Sequence, residues 1–219
     1  MALTIHNIPT NQESWFASTL INIKEKYGFI NPYEFQNGEM FEKSSGSVLL
    51  TFDDGFATNK QVAEKILAPL GITAFFFVAT GLIGLSSGDA RQYAQQNIYP
   101  KRDILQADGS LDAMTWDDLK WLNNQGHVVG AHTHSHVFLS NLTFEQQKIE
   151  ILDAANFLEE QLGAYIKTFA YPFGSLASVD PNSVAIVRER FDFAFSNIRG
   201  GLNESPNEHF LFRQNLVPG

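Results

Sequence analysis

Apolar runs and amphipathic stretches take turns along this chain, and most of the runs stop abruptly at polar or charged residues. Trp15, Leu20, Ile23 and Tyr27 recur at roughly helical spacing, which predicts a helix over 11–27 with Gly28 as its stop. A strand is predicted over 47–52, ending at two adjacent carboxylates, Asp53 and Asp54. Next come a helix over 59–70, closed by Gly71, and a strand over 72–79 whose Phe75-Phe76-Phe77 run suits burial on both faces. Residues 81–113 are rich in Gly, Ser and polar residues with weak periodicity, and are read as a long insertion loop over one face of the domain.

Thr115 caps a predicted helix to about residue 125, with Asp117 and Asp118 in its first turn, and a strand over 127–131 leads into His132. Thr143-Phe144-Glu145-Gln146 matches a capping box and opens a long helix that ends near Gly163. A strand over 166–171, a helix over 180–190 with Pro181 at its first position, a strand over 191–196 and a last strand over 211–217 complete the pattern. Strands alternating with helices predict a mainly parallel sheet or barrel, in one domain over 1–219. Such folds gather ligands at the carboxyl ends of their strands. Asp53, Asp54, His132, His136 and Pro172 all fall just after predicted strands, which draws separate segments toward one site.

Composition narrows the chemistry. The chain has 219 residues, 44% of them hydrophobic, enough for one well-packed domain. It has no cysteine, so any metal must take His, Asp or Glu ligands. A net charge of -9 argues against nucleic acid and against a polybasic membrane-surface site. No apolar run approaches a membrane span and no secretory signal is visible, so a cytoplasmic protein is expected.

One carboxylate plus two histidines is a common ligand set for a catalytic zinc that keeps one position open for water. Asp53-Asp54-Gly55 is by itself equally a turn with solvated carboxylates. At the end of a buried strand, however, two adjacent charges need a partner to offset desolvation, and a divalent cation supplies it. His132 and His136 follow a strand, so their convergence depends on a tight turn. His134 lies between them and should face another way, toward packing or substrate; His127 and His209 read as structural.

Thr51-Phe52-Asp53-Asp54-Gly55, His132-Thr133-x-Ser135-His136 and Phe169-Ala170-Tyr171-Pro172-Phe173-Gly174 occur in the order and approximate spacing of the polysaccharide deacetylases. This carbohydrate esterase family includes the chitooligosaccharide deacetylases. The sequence most resembles the branch of poly-N-acetylglucosamine deacetylases, which has a Tyr-Pro-x-Gly motif and an N-terminal histidine followed by an aliphatic residue, here His6-Asn7-Ile8. The segments 114–119 and 210–213 also look like it. The resemblance implies a distorted, incomplete parallel (β/α) barrel and a metal, zinc with cobalt or nickel as substitutes, held by Asp54, His132 and His136. It further implies Asp53 as general base, the Phe173 N–H as oxyanion donor and His6 as general acid. The family's third-motif arginine is replaced by Ala170, and its late Leu-x-x-His motif is missing. Arg213 is the candidate to reach Asp53 instead, against the plainer reading of a surface ion pair. His6 is otherwise a capping or packing histidine.

The activity implied is hydrolysis of N-acetyl groups from amino sugars in a polysaccharide, oligosaccharide or glycan precursor. Trp116, Tyr171, Pro172 and Phe173 are candidates to line the sugar, with core packing as the alternative for the aromatics. The same metal site would serve an N-formyl sugar or another small amide. A catalytically silent carbohydrate-binding protein of the same fold is the reading from a different class.

Overall fold

The computed structural model describes residues 1–38, 46–101 and 111–218. Seven strands form one parallel sheet: β1 (Ala2–Ile5), β2 (Leu49–Phe52), β3 (Phe75–Val78), β4 (Val128–Ala131), β5 (Thr168–Ala170), β6 (Phe193–Phe195) and β7 (Gln214–Asn215). Their order is β6-β5-β4-β3-β2-β1-β7. The C-terminal segment touches both ends of that order. Leu211 bridges Phe195 of β6, while Gln214 and Asn215 pair with β1. Three residues of extended chain span only about 10 Å, so the sheet must curl to bring its edges this close. The result is the incomplete (β/α) barrel.

Side chains alternate across a strand, and here both faces are buried. Leu3, Ile5, Leu50, Phe52, Phe76, Val78, Val129 and Phe169 point outward into the main core beneath the helices. Ala2, Leu49, Phe75, Phe77, Val128, Ala170 and Phe195 fill the interior. Phe75, Phe77 and Phe195 pack there with ring centroids 5.3–5.6 Å apart. Gly130 makes room for them: a Cβ at this position would lie 2.5 Å from the Phe77 ring and 2.7 Å from Thr168 Oγ1. At the amino end of the barrel the short helix Pro32–Gln36, capped by Asn31, inserts Phe35 against Phe75 and Phe195. Its five residues are too few to show a helical period, and the sequence pattern passes over it. β1 is also missed, because ALTI is buried on both faces and shows no alternation.

Capping residues mark three of the helix starts and two of the helix ends as predicted. Thr115, Thr143 and Asp180 form reciprocal capping boxes at the starts of the helices 116–124, 144–162 and Pro181–Arg190. Gly71 and Gly163, at φ 64° and 65°, end the helices 57–70 and 144–162. Residues 81–113 correct the expectation of an irregular loop. Ser86 caps a helix over 87–98 that buries Ala90, Ala94 and Ile98 against Phe56, Leu82 and Leu111. The predicted insertion is thus structured over 81–101, and its stretch 102–110 lies outside the described residues. The last strand is shorter than predicted, Gln214–Asn215 within 211–217.

Candidate active site

Alternation continues past the strand ends and decides which side chains reach the mouth of the barrel. Ala2, Leu49 and Val128 face inward, so their strands present His6, Asp53 and His132 as the inward positions just beyond the carboxyl ends. Asp54 joins them by a different route. Its backbone turns through φ 80°, and Gly55 follows at φ 108°.

Asp54 Oδ1 lies 3.3 Å from His136 Nε2 and 3.6 Å from His132 Nε2, while Oδ2 lies 3.3 Å from His6 Nδ1. Asp54, His132 and His136 are all buried and each offers one ligand atom, with these atoms within 4.8 Å of one another. Both Asp54 oxygens and His132 Nε2 are buried without a hydrogen-bond partner among the described residues. Each such stranded polar atom costs about 1–3 kcal/mol, so three of them around one point need a common partner. A divalent cation fits this donor set of one carboxylate and two imidazoles.

The outer ring nitrogens agree with that fit. His132 Nδ1 donates to Ala170 O at 2.6 Å, and His136 Nδ1 donates to Asn97 O at 3.1 Å. In the neutral rings each Nε2 then carries a lone pair directed at Asp54, the tautomer a metal requires.

Asp53 is held quite differently. Arg213 Nη1 and Nη2 donate to its two oxygens at 2.7 Å each, and both side chains are buried. Arg213 is itself fixed by donating from Nε to Ser196 O and from Nη1 to Thr51 Oγ1, with the adjacent Phe77 and Phe195 rings packed beside its guanidinium. This is a buried bidentate pair, so the surface ion-pair reading of Arg213 does not hold. Burial pushes the Asp53 carboxyl up, but Arg213, His132 and His6 pull it further down, below the usual carboxylate range. Asp54 behaves likewise: burial opposes ionisation, and His6, His132 and His136 outweigh it. For His6, burial disfavours the cation, yet the two carboxylates raise its pKa overall.

Four residues other than glycine adopt positive φ among those described: Asp54, Thr133, His136 and Phe173. All four belong to the motifs singled out in the sequence. Such backbone costs of the order of 1–3 kcal/mol per residue and persists where surrounding contacts over-determine it. Phe173 sits at φ 59°, with its ring edge-on to His136 at 4.7 Å and stacked on Phe138 at 4.3 Å.

Two of the predicted sugar-lining residues lie elsewhere. Tyr171 is 1% exposed, donates its hydroxyl to His209 O and packs between Phe169 and Phe210, so it belongs to the core. Its position after β5 directs it outward, away from the mouth. Trp116 packs edge-on against Phe157 in the helical layer. Pro172 is buried beside Phe173. His134 is exposed and bonds Thr80 Oγ1 at 2.9 Å. His127 accepts from Ala74 N and His209 Nε2 donates to Phe191 O, both structural bonds.

Sequence reasoning missed the groups that support the histidines. Glu150 accepts from His134 N and Ser135 N, Tyr93 donates to His134 O, and Asn97 contributes its carbonyl. The one available signal was the four-residue spacing of Ala90, Ala94 and Ile98, weak because alanine is hardly apolar.

Residues 42–189 match the family model described as polysaccharide deacetylase. YxkH of Bacillus subtilis (strain 168), named as a candidate polysaccharide deacetylase, is 27% identical over 176 residues, covering 80% of this chain. The chain spans about half the length of that curated relative, 53%. Among solved structures, the deacetylase PplD of Streptococcus pyogenes, in complex with acetate, has a TM-score of 0.74 at 21% identity over 100% of this chain and 92% of that one. IcaB from Ammonifex degensii has a TM-score of 0.75 at 24% identity, covering 100% and 91%. These likenesses extend the barrel fold to proteins of low identity, and the family model spans all three motifs around the site. The chain belongs to the polysaccharide deacetylase family.

Proposed function

We propose that this protein is a metal-dependent hydrolase that removes N-acetyl groups from amino sugars of a polysaccharide, oligosaccharide or glycan precursor. The observation that carries the reading is the buried set Asp54, His132 and His136, with both carboxylate oxygens and His132 Nε2 unpartnered around one point. Membership of the family supplies the substrate class. Zinc suits the donor set, with cobalt or nickel as substitutes. Bound there, such a cation supplies Lewis acidity, acidifying water and polarising an amide carbonyl.

The chain's own groups divide the remaining work. Asp53 is the general base, and its pairing with Arg213 keeps it ionised and oriented beside the ligand set. The same pairing lowers its basicity, so proximity rather than a matched pKa must carry the proton transfer. The Phe173 N–H is the donor for the oxyanion, on a backbone held in an uncommon conformation. His6 gives a proton to the leaving amine. In support, its Nδ1 lies 3.3 Å from Asp54 Oδ2, the carboxylate oxygen other than the one that faces His132 and His136.

The test is acetate release from N-acetylglucosamine oligomers with zinc, cobalt or nickel added and with a chelator control. Release that needs metal, with Asp54→Ala losing both metal and turnover, is the expected result. Asp53→Asn should keep metal and lose about 10²–10⁴-fold in rate. Stoichiometric metal without acetate release overturns the reading.

A further inference from the structure

We propose that Glu150 and Tyr93 are positioning residues that clamp the histidine loop from two neighbouring helices and thereby set the affinity of the Asp54–His132–His136 site for its cation. The inference rests on the metal-hydrolase reading above and deepens it. Glu150 lies outside the ligand set, and the Tyr93 hydroxyl is spent on His134 O.

His132 and His136 are joined by three residues that must double back so that both rings meet Asp54. The turn uses left-handed backbone at Thr133, φ 64°, and at His136, φ 51°. Neither position is glycine, so left-handed backbone there must be held by bonds to the loop. Within the loop, Thr133 Oγ1 accepts from His136 N at 3.0 Å. The remaining bonds come from outside it.

Glu150, on the helix 144–162, directs one carboxylate oxygen at both intervening amides, His134 N at 3.0 Å and Ser135 N at 2.8 Å. A charged acceptor shared by two backbone donors is a strong and geometrically demanding contact. Tyr93, on the helix 87–98, donates its hydroxyl to His134 O at 2.8 Å. Gly81 N donates to that same oxygen at 2.9 Å, and a Cβ on Gly81 would lie 2.7 Å from it. Thr80 N, in turn, donates to Thr133 O at 3.1 Å. The helix carrying Tyr93 also supplies Asn97 O, which takes the Nδ1 proton of His136. The peptide groups between the two ligands are therefore tied on their N–H side by Glu150 and on their carbonyl side by Tyr93 and the 80–81 backbone. Loosening either tie lets the His132–His136 spacing relax before a cation binds, and affinity falls by the ordering then required.

The test is zinc affinity by competition with a chromophoric chelator for wild type, Glu150→Gln, Glu150→Ala and Tyr93→Phe. Amide hydrogen exchange at Ser135 and urea midpoints are measured on the zinc-free proteins. Glu150→Ala is expected to weaken zinc about 10–100-fold, the usual effect of losing an outer support of a metal ligand. It should also speed exchange at Ser135, while the zinc-free urea midpoint stays near wild type. Glu150→Gln, which keeps an acceptor oxygen, should recover part of the affinity, and Tyr93→Phe should weaken it several-fold. Zinc affinity within about twofold of wild type in both Glu150→Ala and Tyr93→Phe overturns the clamp. So does an affinity loss matched by loss of the zinc-free fold and not eased in Glu150→Gln. If wild type itself takes up no zinc, the metal-hydrolase reading fails, and the clamp is then decided by exchange at Ser135 alone: unchanged exchange in Glu150→Ala sinks it.

Discussion

Replacing Arg213 with methionine strands the Asp53 carboxylate. Arg213 is 0% exposed and Asp53 2%, with Nη–Oδ contacts of 2.7 Å on both oxygens. Methionine suits the apolar surface that Phe77 and Phe195 present beside the guanidinium, so the perturbation is mainly loss of charge and of four hydrogen bonds. Breaking a buried pair from one side costs about 3–5 kcal/mol, a large share of the roughly 5–15 kcal/mol that holds a domain together. With a urea m-value of about 2–3 kcal/mol per molar, the midpoint should fall by about 1–2.5 M in metal-free protein at neutral pH. In the wild type, the folded pKa of Asp53 lies below its unfolded value. Its stabilising contribution is therefore full above the unfolded pKa and is lost as pH falls through the folded one. Without Arg213, burial is opposed only by the histidines and pushes the carboxyl upward, so the variant's deficit should shrink as pH is lowered from 7 toward 5. Asp53→Asn/Arg213→Met should recover much of the loss, giving a coupling of about 2 kcal/mol or more in a double-mutant cycle. Additivity to within about 0.5 kcal/mol, or a single-variant deficit independent of pH, refutes this account of the pair.

His127 accepts from Ala74 N, and burial pulls its pKa down to about 4 from 6.5. The unfolded chain therefore takes the proton first, and stability is lost as pH falls from about 6.5 to 4, by up to about 3 kcal/mol; His127→Gln should flatten that slope in urea titrations. Gly130→Ala places a methyl 2.5 Å from the Phe77 ring and should lower stability by about 1–3 kcal/mol, read from the urea midpoint. Tyr171→Phe should cost about 1 kcal/mol through the lost bond to His209 O and leave KM for an acetylated oligomer unchanged; a raised KM would return Tyr171 to the sugar site.

The parallel architecture was legible because β2 to β6 are mostly apolar runs set between helices, and the helix caps are chemistry of a few neighbouring residues. Thr115, Thr143 and Asp180 fix helix starts by bonds to their own backbone, which sequence spacing specifies. β1 and the helix Pro32–Gln36 were not legible, since four or five residues show no period when both faces are buried or when one Phe does the packing. The helix 87–98 escaped for a related reason: its buried stripe is built mainly from alanine.

At the site, the sequence by itself determined the chemistry: two carboxylates at one strand end, two histidines at another, and one candidate arginine far along the chain. Residue type and strand position travel with the sequence, because alternation assigns a face wherever a strand is recognised. Tertiary structure alone decided which distant groups complete the site. Arg213 reaches Asp53 because the C-terminal segment crosses between the two sheet edges, a consequence of curvature rather than of local pattern. Asn97, Tyr93 and Glu150 support the histidines from helices elsewhere in the chain, through a carbonyl and two side chains whose partners are fixed only when the layers pack. Tyr171 went the other way, removed from the mouth by the same alternation that delivers His132 to it. Local physics writes the elements and their reactive ends; long-range packing, which balances burial against unpaired polar groups across the whole fold, chooses their partners.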